Sequence, residues 1–285
     1  MNTGTDLLGR LQPYRFSIVL SVTVLSLYPV WHWMLLRMFS QGGEPWSVLP
    51  LGTAVALLWL RPAVLTESRA CPSASLDLLI PALLMLLYMV SLLFFPPIFR
   101  AALAMLMIAN LLSRHWYGKE LHLPLFCLLG LALPAVASLQ FYLGYPLRVI
   151  VGEISSTLLS MNGLVVVRDG TVLQWGMHNI SIDAPCSGIK LLWVSLYMVF
   201  TLACFFELNA KRTLLLLSVS LVLVLVGNVL RTTALFYTES GLVPAQDWMH
   251  EGIGMAVFVL VALGLLLANK FLNQMAHNRH RGMAW

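Results

Sequence analysis

The chain has 285 residues, of which 59% are hydrophobic and only 10% are charged. Charged residues make up about a quarter of a soluble globular protein, so this composition excludes an ordinary water-soluble domain. The formal net charge of +5 does not indicate nucleic-acid binding, because the basic residues lie in short segments between apolar runs, as they do in membrane proteins. We therefore expect membrane lipid around the chain and no nucleic-acid partner.

Apolar runs of about twenty residues recur along the chain and predict an all-α polytopic membrane protein. We interpret residues 1–285 as a single integral membrane domain. Its eight predicted membrane helices cover residues 16–36, 46–60, 78–95, 97–113, 122–143, 188–206, 213–237 and 250–272. The second of them is short and contains glycine and proline, which favours a tilted or re-entrant segment.

The lysine and arginine residues predict how the chain is oriented in the membrane. Most of the 17 basic residues fall in segments on the same side of the membrane as the amino terminus. By the positive-inside rule, both termini then face the cytoplasm. Residues 144–187 follow the amino-terminal helices of residues 1–143 and lie on the periplasmic or extracellular side of the cytoplasmic (inner) membrane. Residues 188–285 carry the last three helices and a cytoplasmic tail.

The external segment 144–187 breaks the helical pattern and predicts a small structure outside the membrane. Residues 145–161 have the pattern of an amphipathic helix that lies at the membrane interface. Asp169 and Gly170 stand between two runs rich in β-branched residues, which is the strongest short-range signal for a β-hairpin. Residues 179–182 could supply a further extended stretch. The predicted hairpin leads directly to a cysteine.

That cysteine, Cys186, lies where the extended segment becomes the sixth predicted helix. Unpaired N–H groups and the positive end of the helix dipole at a helix start favour the thiolate over the thiol, and Lys190 one turn later adds positive charge. The alternative is that Cys186 is a cysteine at a helix start with no catalytic role. The other cysteines show neither a disulfide framework nor a zinc-binding spacing; they are Cys71, Cys127 and Cys204.

Two further side chains fall at the same predicted membrane depth as this cysteine. Arg231 is close to the outer end of the seventh predicted helix, and its five fixed donors suit a carboxylate or a developing oxyanion. His250 begins the eighth predicted helix, and an imidazole exchanges protons near neutral pH. Taken singly, they also fit a snorkelling arginine and an idle interfacial histidine. Together with the thiol they follow the logic of a nucleophile, a base and an anion stabiliser.

Three short motifs carry a resemblance to a known family. Ala-x-Cys-Ser-Gly-Ile at 184–189, Asn-x-x-Arg at 228–231 and His-x-x-x-Gly at 250–254 resemble, in order and spacing, the motifs of the exosortase/archaeosortase family. The resemblance implies a multi-pass enzyme that recognises a carboxy-terminal sorting signal on secreted proteins, made of a short motif, a membrane helix and a basic tail. It further implies cleavage there and transfer of the new carboxyl group to an acceptor such as a lipid or polysaccharide.

The same resemblance implies a role for each candidate residue. Cys186 would be the catalytic nucleophile, Arg231 the stabiliser of the transition state and His250 the proton shuttle. It implies neither a metal nor a cofactor. Pro185 departs from the family pattern, which has a small residue directly before the cysteine.

Other functional classes also fit parts of the sequence. A serine intramembrane protease would use Ser187 as nucleophile and His250 as base, although a thiol is the better nucleophile at neutral pH. A transporter or lipid-carrier protein would bind an anionic group through Arg231, although no inverted repeat is visible in the sequence. A structural membrane scaffold is a further alternative, but no feature of the sequence argues for it.

Overall fold

The computed structural model describes most of the chain, namely residues 15–40, 43–60, 79–244, 246 and 248–282. The predicted predominance of helices is confirmed. The chain divides into two compact units, Met1–Pro134 and Ala135–Trp285. All candidate catalytic residues belong to the second unit.

The first unit is built around one long helix that begins at the second of two consecutive prolines. Helix α5 starts at Pro97, where a missing N–H is tolerated, and ends at Tyr117, followed by Gly118 in the left-handed conformation that closes many helices. It packs against α1, α2, α4 and α6. The helices of this unit are α1 Arg15–Ser26, α2 Tyr28–Phe39, α3 Val48–Trp59, α4 Leu79–Phe94, α5 Pro97–Tyr117 and α6 Leu123–Gly130.

The second unit is built around helix α9, which packs against α7, α8 and α10. Asn209 caps α9, accepting a hydrogen bond from the backbone N–H of Arg212 at 2.9 Å. The elements of this unit are α7 Val136–Met161, β1 Val167–Asp169, β2 Val172–Trp175, β3 His178–Ser181, α8 Ile189–Phe205, α9 Ala210–Glu239 and α10 Met249–Gly282.

The predicted hairpin is confirmed, and the structure extends it to a three-stranded antiparallel sheet of order β1-β2-β3. Gly170 and Gly176 stand in the two tight turns with positive φ values of 59° and 57°, a conformation that glycine adopts without strain. Leu173 and Ile180 are paired on neighbouring strands. Both pack into one apolar cluster with Phe236 of α9, so the sheet is anchored on the central helix.

The prediction of one helix over residues 122–143 is wrong. The chain leaves helical geometry after Gly130 and resumes it at Val136. Pro134 lies in this break; it has no N–H to donate and disfavours the helical conformation of the residue before it. Residues 145–161 are helical as predicted, but they form the second part of the 26-residue helix α7 and not a helix of their own.

The predicted number of eight membrane spans is not confirmed. Among the described residues, three helices are long and apolar enough to cross a bilayer: α5, α9 and α10 up to Met275. Helices α1 and α2, bent by 59° relative to each other, could form a fourth span together. The second, third and sixth predicted spans appear as α3, α4 and α8, which have 12, 16 and 17 residues.

The apolar surface of the long helices shows that the protein is embedded in a membrane. Only 39% of the apolar window of α9 and 17% of that of α10 is buried within the protein. Leu260 and Leu267 of α10 keep 60% and 66% of their surface exposed. A continuous apolar surface of this kind requires lipid rather than water.

Candidate active site

Cys186 lies in a short 3₁₀ turn, Ala184–Ser187, between β3 and α8. Its backbone N–H donates to the carbonyl oxygen of Asp183 at 2.9 Å. Gly188 follows in the left-handed region with φ +80°, and α8 begins only at Ile189. The cysteine therefore lies near the start of α8, as the sequence had indicated, but just before its first turn. Only 6% of its surface is exposed.

Asn228 of α9 holds the turn that carries the cysteine. Its side-chain Nδ2 donates to the carbonyl oxygen of Cys186 at 2.8 Å, and the asparagine is buried at 2% exposure. A Cβ atom at Gly188 would lie 3.0 Å from Asn228 Cγ. Glycine is thus required here both by the backbone angle and by the close approach of the amide.

Helix α7 holds the same turn from another side. Ser187 Oγ donates to Gln140 Oε1 at 2.7 Å, and Arg148 Nη1 donates to the carbonyl oxygen of Ile182 at 3.2 Å. The nucleophile segment is therefore tied to α7 and α9 by side-chain hydrogen bonds at three positions. The hydroxyl of Ser187 is engaged by a neutral amide oxygen, which is no general base.

Cys186 lines a small pocket between the sheet and α9. Apolar side chains form most of the wall, and three polar residues complete it; the lining residues are Leu173, Ile180, Ser181, Ile182, Cys186, Thr232, Leu235, Phe236 and Glu239. The cavity has a volume of about 20 Å³, which is room for about one water molecule. The pocket can therefore take one small group, such as a carbonyl oxygen.

The surroundings of Cys186 favour the protonated thiol. Burial raises the pKa of Cys186 above its ordinary value; the positive charge of Arg231 lowers it, and the carboxylates of Glu239 and Asp183 raise it. The thiolate expected from a helix start is thus not what the structure favours, because the thiol is buried and stands outside the first helical turn. A base has to remove its proton.

Arg231 lies close to the glycine of the third motif. A Cβ atom at Gly254 of α10 would be 3.6 Å from three atoms of the guanidinium, Cζ, Nε and Nη2. Arg231 acts on the Cys186 thiol through its charge, but it is not among the described residues that line the pocket. The second and third motifs thus meet at the packed faces of α9 and α10.

His250 lies at the start of α10, next to a carboxylate at the end of α9. The distance from His250 Nδ1 to Glu239 Oε1 is 3.9 Å, and both side chains are about half exposed. Glu239 also lines the pocket that contains Cys186. Glu239 thus shares a pocket with Cys186 and has the imidazole of His250 at 3.9 Å.

Sequence reasoning assigned no role to Glu239 or Asn228. Asn228 was visible as the first residue of its motif, and Glu239 as an acidic group near the end of an apolar helix. Which neighbours they contact becomes known only from the packing of the helices. Within the described part of the chain, His, Cys, Asp and Glu side chains form no group of three that could hold a metal ion.

A comparison with known proteins gives one family. Residues 14–267, most of the chain, match the family model described as transmembrane exosortase (Exosortase_EpsH). No curated protein and no solved structure gives a significant match. The three motifs that meet in the second unit lie within the matched residues. The chain therefore belongs to the transmembrane exosortase family, whose members process protein substrates that carry carboxy-terminal sorting signals.

Proposed function

We propose that this protein is a cysteine transpeptidase that processes carboxy-terminal sorting signals of secreted proteins at the outer face of the cytoplasmic membrane. One observation carries the proposal: the buried residue Cys186 lines the same pocket as Glu239, whose carboxylate is 3.9 Å from the imidazole of His250. Arg231 adds a positive charge that acts on the same thiol. A nucleophile, a base with its carboxylate and a cation are the parts that acyl transfer needs.

In the proposed first step, His250 takes the proton of the Cys186 thiol and the sulfur attacks the carbonyl carbon of the scissile peptide. The electron pair of the C=O bond moves to oxygen, and the charge of Arg231 stabilises the oxyanion. Glu239 orients the imidazole and stabilises it while it is protonated, as a carboxylate does in catalytic triads. Because burial raises the pKa of the thiol, this base is required.

In the proposed second step, the oxyanion collapses and the C–N bond breaks. The leaving amine takes the proton from His250, which leaves a thioester on Cys186. An amine or hydroxyl of the acceptor, a lipid or a polysaccharide, then gives its proton to His250 and attacks the thioester carbonyl. The C–S bond breaks, and the sulfur takes the proton from His250, which restores the thiol. Attack by water would give hydrolysis instead.

The test uses a host protein that ends in a short motif, a membrane helix and a basic tail, with an epitope tag after the tail. Cys186→Ala and Cys186→Ser should both reduce loss of the tag by more than ~10³-fold, as removal of a catalytic nucleophile does. Cys204→Ala is the matched control, because Cys204 is also buried but lies within α8. Normal processing by Cys186→Ser would contradict the proposal.

A second measurement detects the acyl-enzyme itself. Hydroxylamine attacks a thioester and releases the acyl group as a hydroxamate, so wild-type membranes with added hydroxylamine should yield the processed substrate with a hydroxamate end. The Cys186→Ser variant should yield none. The serine alternative requires the hydroxyl of Ser187, which donates to Gln140 Oε1, and it predicts that Ser187→Ala abolishes processing while Cys186→Ser does not.

A further inference from the structure

A buried hydroxyl beside the nucleophile has no hydrogen-bond partner in the described part of the chain. Thr232 of α9 is 6% exposed, and among the described residues its Oγ1 neither donates nor accepts a hydrogen bond. Burying a hydroxyl without a partner is unfavourable, and valine would fill the same space without this disadvantage. Such a group calls for an explanation beyond folding.

The position of Thr232 suggests what its hydroxyl is for. Thr232 lines the same small pocket as Cys186. It follows Asn228 by one helical turn, about 6 Å along α9, and Asn228 holds the carbonyl oxygen of Cys186 at 2.8 Å. The helix that fixes the nucleophile turn thus carries an unused donor one turn further along, on the same face.

We propose that Thr232 donates a hydrogen bond to the substrate carbonyl oxygen that becomes the oxyanion when Cys186 attacks. This inference rests on the proposed function. When the C–S bond forms, the electron pair of the C=O bond moves to that oxygen, and the hydroxyl of Thr232 keeps its proton while it donates. On collapse the C–N bond breaks, and the carbonyl of the thioester stays within reach of the same donor.

The position of Arg231 is compatible with Thr232 as the hydrogen-bond donor to the oxyanion. The guanidinium lies against Gly254 of α10, and Arg231 is not one of the described residues around the pocket. Its charge acts on the site from beside it, whereas Thr232 is one of the residues that line the pocket. With room for about one water-sized group, the pocket matches a single carbonyl oxygen.

The neighbouring residue supplies a matched control. Thr233 Oγ1 is also buried without a hydrogen-bond partner among the described residues, but Thr233 does not contribute to the wall of this pocket as described. A change of either threonine to valine removes one unpaired hydroxyl from the same helix. Only the change at position 232 should affect catalysis.

The experiment compares Thr232→Val, Thr232→Ser and Thr233→Val in the tag-loss assay with the tagged host substrate. Thr232→Val should lower kcat by ~10²–10³-fold, the effect of removing one oxyanion donor. Thr232→Ser keeps the hydroxyl and should retain most activity, and Thr233→Val should cleave like the wild type. Thermal stability of Thr232→Val should be unchanged or higher, and iodoacetamide should alkylate Cys186 at the wild-type rate.

The outcomes separate this inference from the proposed function. If Cys186→Ala still cleaves the substrate, the proposed function fails. If Cys186→Ala is inactive but Thr232→Val cleaves normally, only the inference about Thr232 fails. Loss of activity in Thr232→Val together with lowered stability, or equal loss in a stable Thr232→Ser, would assign the threonine a structural role and also overturn the inference.

Discussion

Removal of the Asn228 side chain tests how the nucleophile turn is held. Asn228→Ala deletes the 2.8 Å hydrogen bond to the carbonyl oxygen of Cys186 and leaves that oxygen without its donor in a buried site. Loss of one partner of a buried hydrogen bond costs about 1–3 kcal/mol of folding stability. The turn should also shift, and a displacement of about 1 Å at a reacting group lowers activity by about 10²-fold.

The assay measures tag loss from the host substrate per folded enzyme, together with thermal unfolding. Asn110→Ala is the matched control, because Asn110 is 4% exposed and its Nδ2 donates in the same way to the carbonyl oxygen of Glu120 at 2.6 Å, within the first unit. Both variants should lose similar stability, but only Asn228→Ala should lose about 10²-fold in activity per folded enzyme. Equal activity of the two variants would refute the idea that Asn228 positions Cys186.

Further predictions concern the charges and the backbone around the nucleophile. Because burial raises the pKa of the Cys186 thiol, its alkylation by iodoacetamide should still be accelerating above pH 9, the ordinary pKa of the group. Arg231→Gln removes a charge that favours the thiolate and should move the midpoint of this pH profile upwards; Glu239→Gln removes a charge that opposes it and should move the midpoint downwards. Shifts of the midpoint in the reverse directions would contradict the effects of Arg231 and Glu239 on the pKa of the thiol. Gly188→Ala should cost about 1–2 kcal/mol for its positive φ and also abolish processing, because the new Cβ would displace the amide that holds the turn. The control is Gly163→Ala, with a φ of +85° and no atom within 4 Å of the new Cβ. If both variants process substrate equally well, the close approach of Asn228 to Gly188 is not needed for activity.

Features of the chain that depend only on residues close together in the sequence could be predicted from the sequence. Long apolar runs predicted α5, α9 and α10, because a helix in lipid needs only its own apolar surface and its own hydrogen bonds. Asp169 and Gly170 predicted the first turn of the sheet for a similarly local reason. The failures show where local rules end, since Pro134 lies in the break between α6 and α7 while Pro146 lies inside α7 without ending it.

The sequence by itself thus determined the membrane class, the hairpin next to the nucleophile and the three motifs that carry the family resemblance. Only the tertiary structure decided how the motif residues are used. Asn228 reaches the backbone of Cys186 across 42 positions of the chain, and Glu239 meets His250 because α9 and α10 pack side by side. The burial that raises the pKa of the thiol likewise comes from the sheet and α9 together. Such contacts arise from the packing of separate elements, and no local pattern of residues encodes them.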